Sequence, residues 1–295
     1  MAPVVTVTFV RHGESTDNLR SVWAGWKDSP LSNHGINQAK AAGESLSSVR
    51  FTTIYASPLK RTFTTAEAIL AAQPDPKPPL VPSPLLREQH FGIAEGKAWA
   101  VHADPDMSLE EHYAKGIFPI LYERHEKFPE GESLDDLAVR TDQAVREVIL
   151  PEVWKAAREG VKGIHIAVVS HGLCISEMVP ALLRKDASGI PPSNAYRGLL
   201  NTAWTRVTID VPGWEAENPL EFTDDNPPPL TIKVTDFNRH EHLDKVVRQK
   251  GGIGSAAYDP KQQDIRAFFG GAKISPREEG RSESNAQDEA NVEIK

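Results

Sequence analysis

A chain of 295 residues with 39% hydrophobic and 25% charged side chains can form one large domain or two small ones, and reads as soluble and globular. Its net charge of -8 excludes a general nucleic-acid or anionic-membrane binder, which needs a basic face. Its one cysteine, Cys174, excludes an intramolecular disulfide and a thiolate-rich metal site, and the absence of a leader or of about 20 consecutive apolar residues leads us to expect a cytoplasmic protein.

In chain order, Val4 to Val10 is a β-branched run that reads as a buried strand, and it runs directly into Arg11-His12-Gly13. Ser32 can cap a helix that sets Ile36, Ala39, Gly43 and Leu46 on one face. Thr53 to Ala56 is a second strand, followed by Ser57-Pro58-Leu59-Lys60-Arg61-Thr62 and a helix carrying Phe63, Ala66 and Leu70. Residues 73–84 hold six prolines and read as a connector, and the apolar pair Leu85-Leu86 is expected to end a further strand ahead of Glu88. Ser133 and Asp136 resemble a capping box opening a long helix through Leu134, Ala138, Thr141, Val145 and Val148. Ile164 to Val169 is a third clear strand, leading into Ser170-His171-Gly172 and a helix with Leu173, Met178, Val179 and Leu182. Two later strands are expected at 202–209 and 230–234, separated by a proline-rich acidic loop. Strands alternating with helices predict an α/β fold with a mostly parallel central sheet flanked by helices. Residues 271–295 carry four basic and six acidic side chains with few large apolar ones, and predict a disordered tail. The expected organisation is a domain over 1–250, with a cap insertion at about 92–132, and a largely disordered extension over 251–295.

Ligands of open α/β sheets sit beyond the carboxyl ends of the strands, where Arg11, His12, Arg61, Glu88, His171 and Gly172 all fall. Those residue types suit phosphoryl transfer. Guanidinium forks match phosphoryl oxygens bidentately, so Arg11 and Arg61 would form a clamp. A neutral imidazole is a competent nucleophile, a role for His12, while His171 would donate to a transferring oxygen. Glu88 would protonate a leaving alkoxide, and Gly13 and Gly172 would let backbone approach the phosphate.

The chain resembles the histidine phosphatase superfamily, also called phosphoglycerate mutase-like, over about residues 4–210. The resemblance is carried by Arg11 to Ser15 with Asn18, by Trp23-Ala24-Gly25-Trp26-Lys27-Asp28-Ser29-Pro30-Leu31, by Gly35 with Gln38-Ala39, by residues 57–62, by Arg87 to Gly92 with Glu95-Gly96, by Gly131-Glu132-Ser133 and by Ser170 to Gly172. It implies that His12 becomes a phosphohistidine, with Arg11, Arg61 and His171 around the phosphate and Glu88 as proton donor. It also implies substrate contacts from Asn18 and from the backbone near Gly25. Ala24 stands where relatives often carry a hydroxyl residue, leaving the backbone as the contact there. The reading is a metal-independent phosphomonoesterase acting on a small phosphorylated metabolite. A mutase-type transfer, or phosphate binding without turnover, are the alternatives.

No glycine-rich nucleotide fingerprint occurs, so no organic cofactor is implied. His240 and His242 lack a third ligand and are expected as solvated loop residues, His165 as a satisfied histidine of its strand, and Trp23 and Trp26 as packing. Within 95–130, Lys97, Lys115, Arg124 and Lys127 face eight carboxylates, a poor setting for a second phosphate. That balance, with the Phe91-Gly92 and Glu95-Gly96 pattern, favours the phosphatase branch, including its fructose-2,6-bisphosphatase-like members, over the glycolytic mutases.

Overall fold

The apolar run after Pro3 and the run at 164–170 are buried on both faces, which is what the middle of a parallel sheet requires. The computed structural model describes residues 4–100, 102–192, 196–214 and 218–259. Its elements in chain order are β1 (Val5–Arg11), α1 (Asn33–Ser45), β2 (Thr53–Ala56), α2 (Lys60–Ala72), β3 (Leu80–Pro82), β4 (Trp99–Ala100), α3 (Leu109–Ala114), β5 (Phe118–Pro119), α4 (Leu134–Ala144), α5 (Leu150–Glu159), β6 (Ile164–Ser170), α6 (Gly172–Leu183), β7 (Trp204–Asp210) and β8 (Thr231–Arg239).

The main sheet has the order β3-β2-β6-β1-β7-β8. β3, β2, β6 and β1 run parallel, and β7 and β8 add an antiparallel edge. Alternation along β1 and β6 splits the core in two. Val5, Val7, Phe9, Ile166 and Val168 face α5 and α6, packing on Val153, Ile175 and Met178. Val10, Ala167 and Val169 face the other way, with Leu46 and the α2 residues Ala66 and Ile69. Register sets the level of the site. Arg11 pairs with Ser170 and Ala56 with Val169, so the residues that follow β1, β6 and β2 emerge together at one edge.

The structure departs from expectation in four places. The proline-rich connector contains β3, an outer strand where a missing N–H breaks no ladder bond. Leu85 and Leu86 do not end a strand but lie in a 3₁₀ turn, Pro84–Leu86, that buries Leu86. The long helix after Ser133 keeps its predicted capping box but widens to a π turn at Val145–Ile149 before α5, whose second residue is Pro151. Proline supplies no N–H to the preceding turn, so a regular ladder cannot run through. Finally, the boundary drawn at residue 250 falls short. Residues 251–258 pack on the start of α1, with Tyr258 N–H donating to Leu31 O at 2.8 Å and Asn33 N–H to Ala256 O at 2.9 Å. The tail expected at 271–295 lies outside the described residues.

Between Gly92 and Ser133, β4 and β5 pair as a short parallel ribbon and α3 is closed by a Ser108/Glu111 capping box. Phe91, Phe118 and Phe128 form a separate apolar cluster there, with Trp23 and Tyr113 against it. Among the described residues no helix is long and apolar enough to cross a membrane.

Candidate active site

The turn after β1 is held so closely that only glycine fits. A Cβ on Gly13 would lie 2.5 Å from Gly35 O, and one on Gly35 would lie 2.0 Å from Glu14 O, so the loop crosses the first turn of α1 backbone to backbone. Gly13 N–H donates to Thr65 Oγ1 on α2 at 3.1 Å, and Asn201 Nδ2 donates to His12 O at 3.0 Å. These bonds fix the backbone of His12. Its ring is fixed by Nδ1, which donates to Gly13 O at 2.7 Å. A ring nitrogen bonded to a carbonyl must carry the proton, which leaves Nε2 with a free lone pair. Burial, then the charges of Arg61 and Arg11, push the His12 pKa well below 6.5 and keep the ring neutral at neutral pH.

His171 precedes α6 and is fully buried. Its Nε2 lies 2.9 Å from Ser57 Oγ and 3.0 Å from Thr62 Oγ1, while Nδ1 is buried without a partner. When the two hydroxyls donate to Nε2, Nδ1 carries the proton. The rings of His12 and His171 are 5.0 Å apart at 60°. Burial and Arg61 also lower the His171 pKa well below 6.5.

Arg61 lies in the first turn of α2, 1% exposed, and donates to Gly25 O at 2.7 Å and Lys27 O at 3.1 Å. Arg11 donates to Leu199 O at 2.5 Å, and its Nε is buried without a partner. Burial lowers both guanidinium pKa values, and Glu88 is the foremost charge opposing it. Two desolvated cations facing one carboxylate leave a local excess of positive charge, the arrangement an anion completes. Glu88 itself is oriented by backbone. It accepts from Cys174 N–H at 3.0 Å and Gln89 N–H at 3.1 Å through Oε1, and from Leu173 N–H at 3.2 Å through Oε2, at the start of α6.

Arg11, His12, Arg61 and Glu88 line a cavity of about 350 Å³, together with Asn18, Ala24 and Gly25. Asn18 Oδ1 accepts from Ser15 N–H and Oγ–H, so its amide nitrogen is the end left for a ligand. Gly25 has φ +46°, and a Cβ there would strike Glu95. A Cβ on Gly172 would make only ordinary contacts, 3.7 Å to Arg11 Nε and 3.9 Å to Glu88 Oε2, so its small size leaves room in the site and is not forced by packing. His171 backs His12 and does not line the cavity.

Sequence reasoning missed the support for Glu88. Arg140 on α4 forms a two-bonded pair with Glu132 (2.8 and 2.7 Å) and also donates to Leu85 O, Arg87 O and Glu88 O. Trp26 donates to Glu88 O at 2.7 Å, stacks on His90 at 4.4 Å and carries the Arg87 guanidinium over its ring at 3.4 Å. Glu95 Oε1 accepts from Trp26 N–H at 2.7 Å and Phe91 N–H at 3.2 Å. The Gly131-Glu132-Ser133 motif signalled Glu132; nothing local signalled Arg140. Glu14 of the first motif is structural, accepting from Ser32 Oγ at 2.7 Å and pairing with Arg248. His165 bonds Thr8 Oγ1 at 2.7 Å, and His112 is satisfied at both nitrogens by Ser108 O and Asp104 N–H. Buried Cys174 has its thiol pushed up to about 11. Among the described residues no group of three or more His, Cys, Asp or Glu could hold a metal ion.

Comparison with known proteins matches the model of the histidine phosphatase superfamily (branch 1) to residues 7–219. A probable phosphatase of Schizosaccharomyces pombe is 29% identical over 268 residues, covering 89% of this chain and 79% of that protein. A 2,3-bisphosphoglycerate-dependent phosphoglycerate mutase of Gloeobacter violaceus is 29% identical over 180 residues, covering 60% of this chain and 74% of its own length. Among solved structures, one described as mycobacterial hydrolase 1 superposes with a TM-score of 0.58 at 25% identity, covering 80% of this chain and 99% of that one.

Proposed function

The chain belongs to the histidine phosphatase superfamily, and from that membership we propose that it is a metal-independent phosphomonoesterase working through a phosphohistidine at His12. The observation that carries the reading is the free Nε2 of His12, with Nδ1 held by Gly13 O, beside two buried guanidiniums. In the first step Nε2 attacks phosphorus and the P–O bond to the alcohol breaks. The ester binds as its monoanion, whose proton passes to Glu88 and from there to the departing alkoxide. Arg11 and Arg61 hold the phosphoryl oxygens as charge shifts onto them, and His171, which backs His12 outside the cavity lining, supports that charge through its unpartnered Nδ1–H. In the second step Glu88 takes a proton from water, the hydroxide attacks the phosphohistidine, and inorganic phosphate leaves with neutral His12 restored. Asn18, the Ala24–Gly25 backbone and Gly172 border the bound ester.

Hydrolysis is favoured over mutase transfer by where the cap cations go. A mutase must hold a second phosphate and keep water from its phosphoenzyme. Arg124 is taken up by Glu177 and Asp135, Lys127 by Asp136, and Lys97 and Lys115 are exposed; none of the four lines the cavity. The test supplies 3-phosphoglycerate with catalytic 2,3-bisphosphoglycerate, and separately p-nitrophenyl phosphate, all in EDTA. Phosphate release from p-nitrophenyl phosphate without isomerisation of the glycerate is expected. Rapid isomerisation, or release that needs added metal, would contradict the proposal.

A further inference from the structure

The cavity is polar at one end only. Among the described residues that line it, the ionisable side chains and the one amide, Arg11, His12, Asn18, Arg61 and Glu88, belong to the strand ends, the loops that follow them and the first turn of α2. Apart from Ala24 and Gly25, the rest of the wall is Val22, Trp23, Phe91, Trp99, Ile120 and Leu173. This apolar part is preformed. Trp23 is tied by Nε1–H to Phe118 O at 3.2 Å, and its ring packs on Phe91 at 4.7 Å and Phe128 at 5.2 Å. Phe118 and Phe128 behind it are almost wholly buried, so the wall cannot turn polar by a simple rotation. Lys27, two residues past Gly25, is exposed with its ammonium against Gly96 and is not part of the lining.

We infer that the alcohol half of the substrate is uncharged and largely apolar: the preferred ester is the monophosphate of a hydrophobic alcohol or phenol, not a bisphosphate or a phosphorylated carboxylic acid. The inference rests on the phosphomonoesterase reading and narrows it. An alkyl or aryl group seated on Trp23, Trp99 and Ile120 leaves water for a matching surface, a gain of about fourfold in affinity per buried methylene. A carboxylate or second phosphate in the same place sheds hydration and meets no cation among the described lining residues, and the Trp23 N–H is already taken by Phe118 O.

The test compares n-alkyl phosphates from ethyl to hexyl, whose leaving groups are similar in basicity, with chains of equal length ending in a carboxylate or a second phosphate. kcat/KM should rise several-fold per methylene until the wall is covered, and the charged termini should lower it at least tenfold against the apolar chain. Ile120→Lys should shift that preference about tenfold toward the bisphosphate. In parallel, calorimetry of hexylphosphonate against its ω-carboxylated and ω-phosphonylated counterparts reads the wall without turnover. Selective binding of hexylphosphonate with no hydrolysis of any ester would sink the phosphatase reading while sustaining the apolar wall. Hydrolysis that is flat along the alkyl series, or that favours the charged termini, would overturn the inference and leave the phosphatase reading standing.

Discussion

His12 and His171 are both imidazoles buried beside Arg11 and Arg61, and their hydrogen bonds give them different chemistry. His12 commits its proton to Gly13 O and leaves Nε2 with its lone pair, while His171 rests Nε2 on two hydroxyls and leaves Nδ1 buried without a partner. Glu88 is the third party, and its role is separable by leaving group. p-Nitrophenolate departs without help, whereas an alkoxide needs a proton in the transition state. Glu88→Gln should therefore lower kcat/KM, which reports only the first step, on an alkyl phosphate by about 10²–10⁴, and on p-nitrophenyl phosphate much less. Equal losses on both esters would make Glu88 a charge or packing residue and not the acid. His12 and His171 stood out in the sequence because each polar residue comes at or just past the end of an apolar strand, whereas Glu88 stood out through the motif around it and not through the strand expected before it. The orientation of each ring was not legible, since it depends on Gly13, Ser57 and Thr62 contacts that only the fold creates.

At the scale of elements, the site is a consequence of register. β1, β2 and β6 end level with one another, so Arg11, Ser57 and Ser170 start their loops from one edge. Glu88 arrives differently, two residues past a 3₁₀ turn that follows an outer strand, and is supported from outside by α4. The Arg140–Glu132 pair gives that support. Burial pulls the Glu132 carboxyl upward, but the bonds from Arg140 and from His90 N–H outweigh it and hold it below the usual carboxylate range. Arg140→Met would leave Leu85 O and Arg87 O without that donor and the Glu132 carboxylate without its cation, a loss of about 3–5 kcal/mol. For a domain of this size each kcal/mol lowers Tm by roughly 2–4 °C. Adding Glu132→Gln to Arg140→Met should recover part of the loss, because the orphaned charge goes with it. A single variant as stable as the parent would show that α4 does not brace the Glu88 loop. Neither β3 nor Arg140 could be read from local pattern: prolines disguised the strand, and a surface-looking arginine on a helix acquires its partners only when α4 packs beside residues 85–88.

For the whole molecule, an acidic chain encloses a positively charged floor. The buried histidines make folding sensitive to acid. His165 is lowered from 6.5 to about 4, first by burial and then by Arg206, and His12 and His171 shift the same way. As pH falls below 6.5 the unfolded chain takes up protons that the folded chain refuses, so stability declines from pH 6.5 down to about 4. Acidification also relieves repulsion from the net charge of -8, with the opposite sign, but salt at 0.15 M screens that surface effect. Tm should fall across this window, and less steeply in His165→Gln; an unchanged slope in that variant would place the sensitivity elsewhere. Composition foretold the acidic surface and the α/β plan, whereas the apolar lining of the cavity depends on how residues 22–23, 91, 99 and 120 meet in space. The central claim remains the nucleophile. Rapid quenching of the protein with a ³²P-labelled monoester in EDTA, followed by peptide mapping, should yield one phosphopeptide containing His12, labile to acid and stable to alkali, and none from His12→Ala. Turnover with no such adduct, or an adduct that survives in His12→Ala, would contradict the account.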